Sequence, residues 1–207
     1  MTIRIGTMFP DHLDLNGDQG NVKVIEKQLT WRGVDFVTKK VESKEDLTGL
    51  DFLFIGHGSV AAWNQIRESV TAILGEILSS GLNLPLLAVS SGYELLKASG
   101  FFSEVTTASV GPRVSKFEIT SFEGSELLGY VNTESSLPIF ASDGNRFGTM
   151  LHGPVLSRND QLVEKILKLA CESAGLNSLP GLPKEKAGQL ADLVSEVWKL
   201  ERELASE

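Results

Sequence analysis

The residue best placed for chemistry is Ser90, which lies between a predicted strand and a predicted helix. The apolar run 84–89 is typical of a buried strand, and apolar residues at helical spacing follow from position 92. A serine on such a sharp turn has the position of the nucleophile in a nucleophile elbow. The small residues Ala88 and Gly92 suit its crowded backbone, and the helix N-terminus would favour an anion beside Ser90.

A histidine is available to act as a base toward Ser90. A short apolar strand predicted from position 147 ends at His152, in a Gly-Pro turn ahead of a predicted helix at about 159–174. If the two strands are neighbours, the imidazole would accept the proton of the hydroxyl and later return it. A lone histidine is more often structural, so the Ser90–His152 pair is a hypothesis.

A glycine-rich turn follows the apolar run 52–55 and consists of Gly56, His57 and Gly58. Strand, turn and helix in this order predict a backbone that approaches a ligand closely. We expect one of its N–H groups to face the amide of Ser91 as the second donor of an oxyanion hole. A simple flexible loop is the alternative, and His57 is either a base or an exposed residue.

Two polar residues are weaker candidates. Asp18 lies in a turn-rich segment, 14–21, at the carboxyl end of the first predicted strand, where ligands bind in many α/β sheets. Asn21 is predicted to cap the helix 22–31, and the alternative for Asp18 is a turn residue without a catalytic role. Arg113 follows a Gly-Pro pair and could grip a carboxylate with two hydrogen bonds, although most surface arginines do not.

The order of elements predicts the fold class. Strands and helices alternate three times before position 100, which predicts a parallel sheet covered by helices on both faces. The shorter runs 101–107, 114–122 and 127–132 favour antiparallel or mixed strands. We therefore predict an α/β domain at 1–178. A Pro/Gly-rich linker and an amphipathic helix follow at 179–207, and that helix must pack on its own domain or on a partner.

Composition excludes several classes of protein. The chain has 207 residues, of which 42% are hydrophobic, enough for one sizeable core. Its net charge of −8 and its lack of a basic tract argue against nucleic acid. The first residues lack the pattern of a signal peptide, and no apolar run reaches membrane-spanning length, so we expect a cytoplasmic protein without membrane insertion. The single cysteine, Cys171, is predicted to be a packed thiol, and the isolated histidines disfavour a metal site.

Four segments resemble the class I glutamine amidotransferases, and among them the cobyric acid synthase-like branch. Within that branch they look most like small glutaminase subunits that act with a Mur-ligase-like synthetase. The resemblance covers about 3–169. The segments are LDLNGDQGN at 13–21, FIGHG at 54–58, AVSSGYELL at 88–96 and GTMLHGPVL at 148–156.

The resemblance implies a flavodoxin-like fold and a glutaminase reaction without a cofactor. In this family a cysteine attacks the side-chain amide of glutamine, a histidine acts as base and acid, and ammonia passes to a synthetase partner. In the cell-wall case the partner amidates a carboxylate of the peptidoglycan stem. Carried over, Ser90 stands at the cysteine position, His152 is the base, Ser91 and the turn 56–58 supply the oxyanion hole, and Arg113 is the glutamine-carboxylate ligand.

The departures from the family pattern bear on activity. The family nucleophile segment reads Cys-Gly-Gly-Tyr-Gln, whereas this chain has serines at 90 and 91 and Glu94 at its end. A hydroxyl is far harder to ionise than a thiol, so the exchange should lower the rate by orders of magnitude. Pro154 stands where many class I members carry a glutamate, which leaves Asp18 or a partner residue as the orienting acid. The polar run usual after the glycine turn is also missing.

Three interpretations remain. The first is a family member with lost or very weak glutaminase activity, acting as a subunit of a Mur-ligase-like partner. The second is an active glutaminase whose nucleophile was engineered to serine, with glutamine as its ligand. The third is a serine hydrolase that uses Ser90 and His152. We favour the first, because the further changes at Ser91 and Glu94 count against the second.

Overall fold

The computed structural model describes residues 2–205. Position 1 of the predicted segment 1–178 and positions 206 and 207 of the predicted segment 179–207 lie outside the described residues. The strands and helices alternate up to position 98, as predicted. These elements are β1 (Ile3–Met8), α1 (Gly20–Trp31), β2 (Phe36–Val41), β3 (Phe52–Ile55), α2 (Val60–Ser79), β4 (Leu86–Val89) and α3 (Ser91–Ala98).

The second half of the chain is mixed. Its elements are β5 (Val110–Phe122), β6 (Ser125–Ser135), β7 (Phe140–Asp143), β8 (Arg146–Thr149), β9 (Leu151–His152), α4 (Asp160–Ser173) and α5 (Lys184–Ala205). Short 3-10 helices lie at 44–47 and 155–157.

The main sheet has the strand order β2-β1-β3-β4-β8-β7, and every neighbouring pair is parallel except β7 with β8. One face packs on the apolar sides of α1 and α4, and the other packs on α2 and α3. The predicted α/β class, with helices on both faces of a mainly parallel sheet, is therefore confirmed. Cys171 is buried in α4, as predicted for a packed thiol.

A second, antiparallel sheet of β5, β6 and β9 lies beside the first. The runs predicted at 114–122 and 127–132 belong to β5 and β6. The strand expected from position 147 is divided, because the chain leaves the parallel sheet after Thr149 and enters the antiparallel sheet at Leu151. This switch between sheets delivers His152 to the carboxyl ends of β3 and β4.

The predicted strand at 101–107 is wrong. Phe101 and Phe102 are both buried, at 1% and 2% exposure, and the φ angle of Phe102 is 53°. A strand turns successive side chains to opposite faces, whereas these two rings enter one core, so the backbone turns instead. The ring of Phe102 meets that of Tyr93 edge to face, with 5.2 Å between centroids.

The helix α5 contacts the rest of the chain through a small polar cluster. The indole nitrogen of Trp198 donates to the carbonyl of Arg158 at 2.6 Å, and the guanidinium of Arg158 contacts both carboxylate oxygens of Glu201. The division into 1–178 and 179–207 stays a prediction. No helix within residues 2–205 has both the length and the apolar character needed to cross a membrane.

Candidate functional site

Ser90 sits on a sharp turn between β4 and α3. Its φ and ψ angles are 51° and −117°, a backbone conformation that non-glycine residues adopt only under strain. Its amide donates to the carbonyl of Thr149 at 2.7 Å, which ties the turn to β8. A Cβ at Gly92 would lie 2.7 Å from the carbonyl oxygen of Gly56, so this close packing requires glycine. The side chain of Ser90 is thereby held at the carboxyl edge of the sheet.

The structure places His152 beside Ser90, although the two residues are 62 positions apart. Oγ of Ser90 and Nε2 of His152 are separated by 3.2 Å, and both side chains are buried. His152 is held by the pairing of β9 with β6, in which it lies opposite Tyr130. The distance permits a hydrogen bond and proton transfer between the hydroxyl and the imidazole.

Nδ1 of His152 contacts Asn16 and not Asp18. The side-chain amide nitrogen of Asn16 lies 2.6 Å from Nδ1 of His152. When that amide donates, the neutral imidazole carries its proton on Nε2 and donates to Ser90, which prevents it from acting as a base. When the amide is turned so that its oxygen accepts from Nδ1, Nε2 is free to take the proton of Ser90. The orientation of Asn16 therefore decides whether His152 can act as a base.

Asp18 instead connects three loops. Its carboxylate accepts hydrogen bonds from the amides of Gly153 at 3.1 Å, His57 at 3.3 Å and Asn16 at 3.4 Å. Burial raises the pKa of Asp18, while these three donors counteract the rise. The expectation that Asp18 directly orients the ring of His152 is thus corrected: its bonds go to backbone next to His152 and His57.

Asn21 has a larger role than the helix cap that its sequence position predicted. Helix α1 begins at Gly20, two residues before the predicted start, so Asn21 lies inside the helix, where it is fully buried. Its amide nitrogen donates to the carbonyls of Asp18 and Gly153, and its oxygen accepts from the amide of Leu156. Its position at the end of the segment 13–21 was the one available signal. Asn21 fixes the loop that follows His152.

The predicted oxyanion donors meet around the hydroxyl of Ser91. This oxygen lies 3.0 Å from the amide nitrogen of Gly58, 2.8 Å from the indole nitrogen of Trp63 and 2.8 Å from Nδ1 of His57. The amide of Ser91 itself donates to Nδ1 of His57 at 3.3 Å. The structure therefore brings Ser91 and the glycine turn together as predicted, but the N–H groups of Ser91 and Gly58 are already hydrogen-bonded.

A cavity of about 600 Å³ opens beside Ser90 and His152. Arg113 lines it, and its Nε donates to the side-chain oxygen of Asn132 at 2.9 Å. Glu94, in the first turn of α3, lines it as well. A cation and an anion therefore both face the space next to the elbow, which suits a zwitterionic ligand. Within residues 2–205 no group of three or more His, Cys, Asp or Glu side chains is arranged to hold a metal ion.

The electrostatics keep both imidazoles neutral. Burial, followed by the nearby His57 and Arg113, lowers the pKa of His152 to about 4, and burial lowers the pKa of His57. The two rings lie edge to face, 5.1 Å apart. Protonation of either ring would place a positive charge in a buried site.

Stability should therefore fall in mild acid. Below the ordinary histidine pKa of 6.5 the unfolded chain takes up a proton at position 152, while the folded chain stays neutral until about pH 4. We expect the urea midpoint to be lower at pH 5 than at pH 7, and the difference to be smaller in His152→Gln. An equal loss in both proteins would contradict the buried neutral imidazole.

Several known proteins are similar to this chain in sequence or in fold. No family model matches the chain. In sequence, the chain is similar to the Lipid II isoglutaminyl synthase (glutamine-hydrolyzing) subunit GatD of Staphylococcus aureus, with 25% identity over 213 residues that cover 84% of this chain and 86% of the relative.

Two solved glutamine amidotransferases also match. One, from Thermotoga maritima, has a TM-score of 0.49 and 14% identity, covering 99% of this chain and 94% of that chain. A second has a TM-score of 0.46 and 19% identity, covering 80% of this chain and 98% of that chain.

Proposed function

We propose that this chain is a glutamine amidotransferase-like subunit with lost or very weak glutaminase activity, acting with a Mur-ligase-like synthetase in peptidoglycan amidation in the cytoplasm. The observation that carries the proposal is the 3.2 Å contact between Oγ of Ser90 and Nε2 of His152 at the elbow. It combines the arrangement of a nucleophile and its base with a serine in place of the cysteine. The partner is supported by the relative GatD, which is named as a subunit of a synthase.

The chemistry of the pair explains the weak activity. A hydroxyl must be deprotonated as it attacks, whereas a thiol ionises near neutral pH. A general base works best when its pKa lies near the working pH, but the pKa of His152 is lowered to about 4. His152 is therefore a weak base facing a poorly acidic nucleophile.

Glutamine is the ligand that we assign to the cavity. Its carboxylate would pair with Arg113 and its ammonium group with Glu94, since both side chains line the space beside Ser90. Binding without hydrolysis would make the chain a glutamine-responsive subunit of its synthetase.

A serine hydrolase is the second candidate, because the Ser90–His152 pair alone would suit that chemistry. Stabilisation of the tetrahedral intermediate also requires free N–H donors. The amides of Ser91 and Gly58 are engaged within the protein, which favours the first proposal.

The test measures ammonia released from L-glutamine by the unchanged protein and by Ser90→Cys. We expect release near the protein-free background from the first and only a small increase from the second. Robust release by Ser90→Cys would contradict an inherently inactive site and favour an engineered glutaminase. Labelling of Ser90 by a fluorophosphonate, abolished in His152→Ala, would favour the serine hydrolase.

The partner is tested separately with the full-length chain. A Mur-ligase-like protein from the same organism should co-purify with this chain. In a reconstituted assay, that protein should lose its amidation activity when this chain is omitted. A synthetase that binds no chain and works equally well alone would contradict the assigned role.

A further inference from the structure

The hydroxyl of Ser91 accepts a hydrogen bond from the amide of Gly58, one of the two predicted oxyanion donors. We propose that this side chain closes the hole and is a second block on amide hydrolysis, separate from the exchange at Ser90. The inference rests on the proposed function, since it concerns the same site. In this proposal, Ser91 determines how well the site can stabilise an oxyanion.

The positions of the donors define the hole. A tetrahedral intermediate formed at the elbow places its negative oxygen near the N-terminus of α3, where the amide of Ser91 begins the helix. The amide of Gly58, in the turn after β3, is the second predicted donor, and it lies 3.0 Å from Oγ of Ser91. The N–H of Ser91 donates to Nδ1 of His57, and the N–H of Gly58 donates to Oγ of Ser91. Both donors are therefore directed at protein groups and not into the cavity.

The network is saturated, which holds the hydroxyl in place. A serine hydroxyl has one donor and two acceptor positions. Oγ of Ser91 accepts from Gly58 and from Trp63, and it donates to Nδ1 of His57 or to the carbonyl of Gly58. Rotation of the side chain would leave the amide of Gly58 and the indole N–H of Trp63 without these partners in a partly buried site, which is unfavourable. Moving the hydroxyl of Ser91 out of this position therefore costs free energy.

The imidazole of His57 completes the closed arrangement. Because its Nδ1 accepts from the amide of Ser91, the neutral ring carries its proton on Nε2. Burial disfavours a protonated ring, so Nδ1 stays an acceptor. His57 thus takes the N–H of Ser91 that a developing oxyanion would need, and the Ser91 hydroxyl holds His57 in that position.

Removal of the hydroxyl should open the hole. Ser91→Ala deletes Oγ but keeps the Cβ and the helix start, so the amide of Gly58 is freed without added backbone freedom. One oxyanion donor contributes roughly 100- to 1000-fold to the rate. The effect is measurable only with a competent nucleophile, so the comparison is made in the Ser90→Cys background.

The experiment measures ammonia release from glutamine by Ser90→Cys, Ser90→Cys/Ser91→Ala and Ser90→Cys/Ser91→Thr. We expect the alanine variant to exceed Ser90→Cys by roughly 100-fold. The threonine variant keeps a hydroxyl and should gain far less. Circular dichroism and thermal denaturation establish that each protein is folded. Equal rates for the alanine and threonine variants, in folded proteins, would overturn the proposal.

A second measurement distinguishes binding of glutamine from stabilisation of the oxyanion. A glutamine-derived diazoketone, 6-diazo-5-oxo-L-norleucine, alkylates a thiol at position 90, and mass spectrometry measures the adduct. We expect all three variants to form it, which would show that they bind the glutamine frame. If Ser90→Cys alone hydrolyses glutamine rapidly, the proposed loss of activity fails, whereas a further rise in Ser90→Cys/Ser91→Ala would still support the closed hole. A diazoketone adduct in every variant without any rise in ammonia would overturn the inference.

Discussion

Replacement of Asn21 by aspartate is expected to lower the free energy of unfolding by about 3 to 5 kcal/mol. The carboxylate can still accept from the amide of Leu156, but it cannot donate to the carbonyls of Asp18 and Gly153. Each carbonyl keeps one backbone donor, the amide of Asn21 for Asp18 and the amide of Val155 for Gly153, but it would face a carboxylate oxygen where it now accepts from an amide N–H. Because Asn21 is fully buried, the new negative charge adds a desolvation penalty.

Urea denaturation monitored by circular dichroism measures the effect. Asn145→Asp is the matched control, since Asn145 donates a single hydrogen bond, to Asn83, on the exposed side of the chain. That control should change stability by less than about 1 kcal/mol. An equal effect of the two substitutions would show that the network around Asn21 does not hold the loop after His152.

Replacement of Gly148 by alanine is expected to destabilise the protein by about 3 kcal/mol, at the upper end of the range for overpacked cores. A Cβ at this position would lie 2.2 Å from Cδ2 of Tyr93, a distance that carbon atoms do not reach. Tyr93 is fully buried in α3, and Gly148 pairs with Ala88 in β4. Neither the ring nor the strand can move aside without disturbing the elbow.

The control for Gly148→Ala is Gly75→Ala, on the exposed side of α2, where an added Cβ meets nothing within 4 Å. That change should stabilise the helix by about 0.5 to 1 kcal/mol. In the double variant Gly148→Ala/Tyr93→Leu the two destabilising effects should not add, because the smaller side chain makes room for the methyl group. Additive losses in urea denaturation would contradict the proposed clash.

The two serines at the elbow, Ser90 and Ser91, would affect different steps of the proposed reaction. Ser90 affects formation of the nucleophile, whereas Ser91 affects stabilisation of the charge that forms after attack. The cavity beside them retains Arg113 and Glu94. We propose that a site with this combination holds glutamine and hydrolyses it poorly, in keeping with the proposed role in a synthetase complex.

Local patterns were sufficient for most of the fold. The strands β3 and β4 were predicted because burial in a parallel sheet produces uninterrupted apolar strands, and the helices α2 and α3 follow from apolar residues at helical spacing. The prediction failed at Phe101 and Phe102, where the same residue types fill a core from a turn. The strand β7 was missed because it is short and half exposed.

The sequence by itself determined the elbow at Ser90 and the order of the surrounding elements, since these depend on neighbouring residues. Only the tertiary structure decided that His152 approaches Ser90, that Asn16 contacts its ring instead of Asp18, and that the hydroxyl of Ser91 accepts from the amide of Gly58. These contacts join residues from 33 to 136 positions apart. They depend on how loops from two sheets pack together, and no local pattern of residues encodes that arrangement.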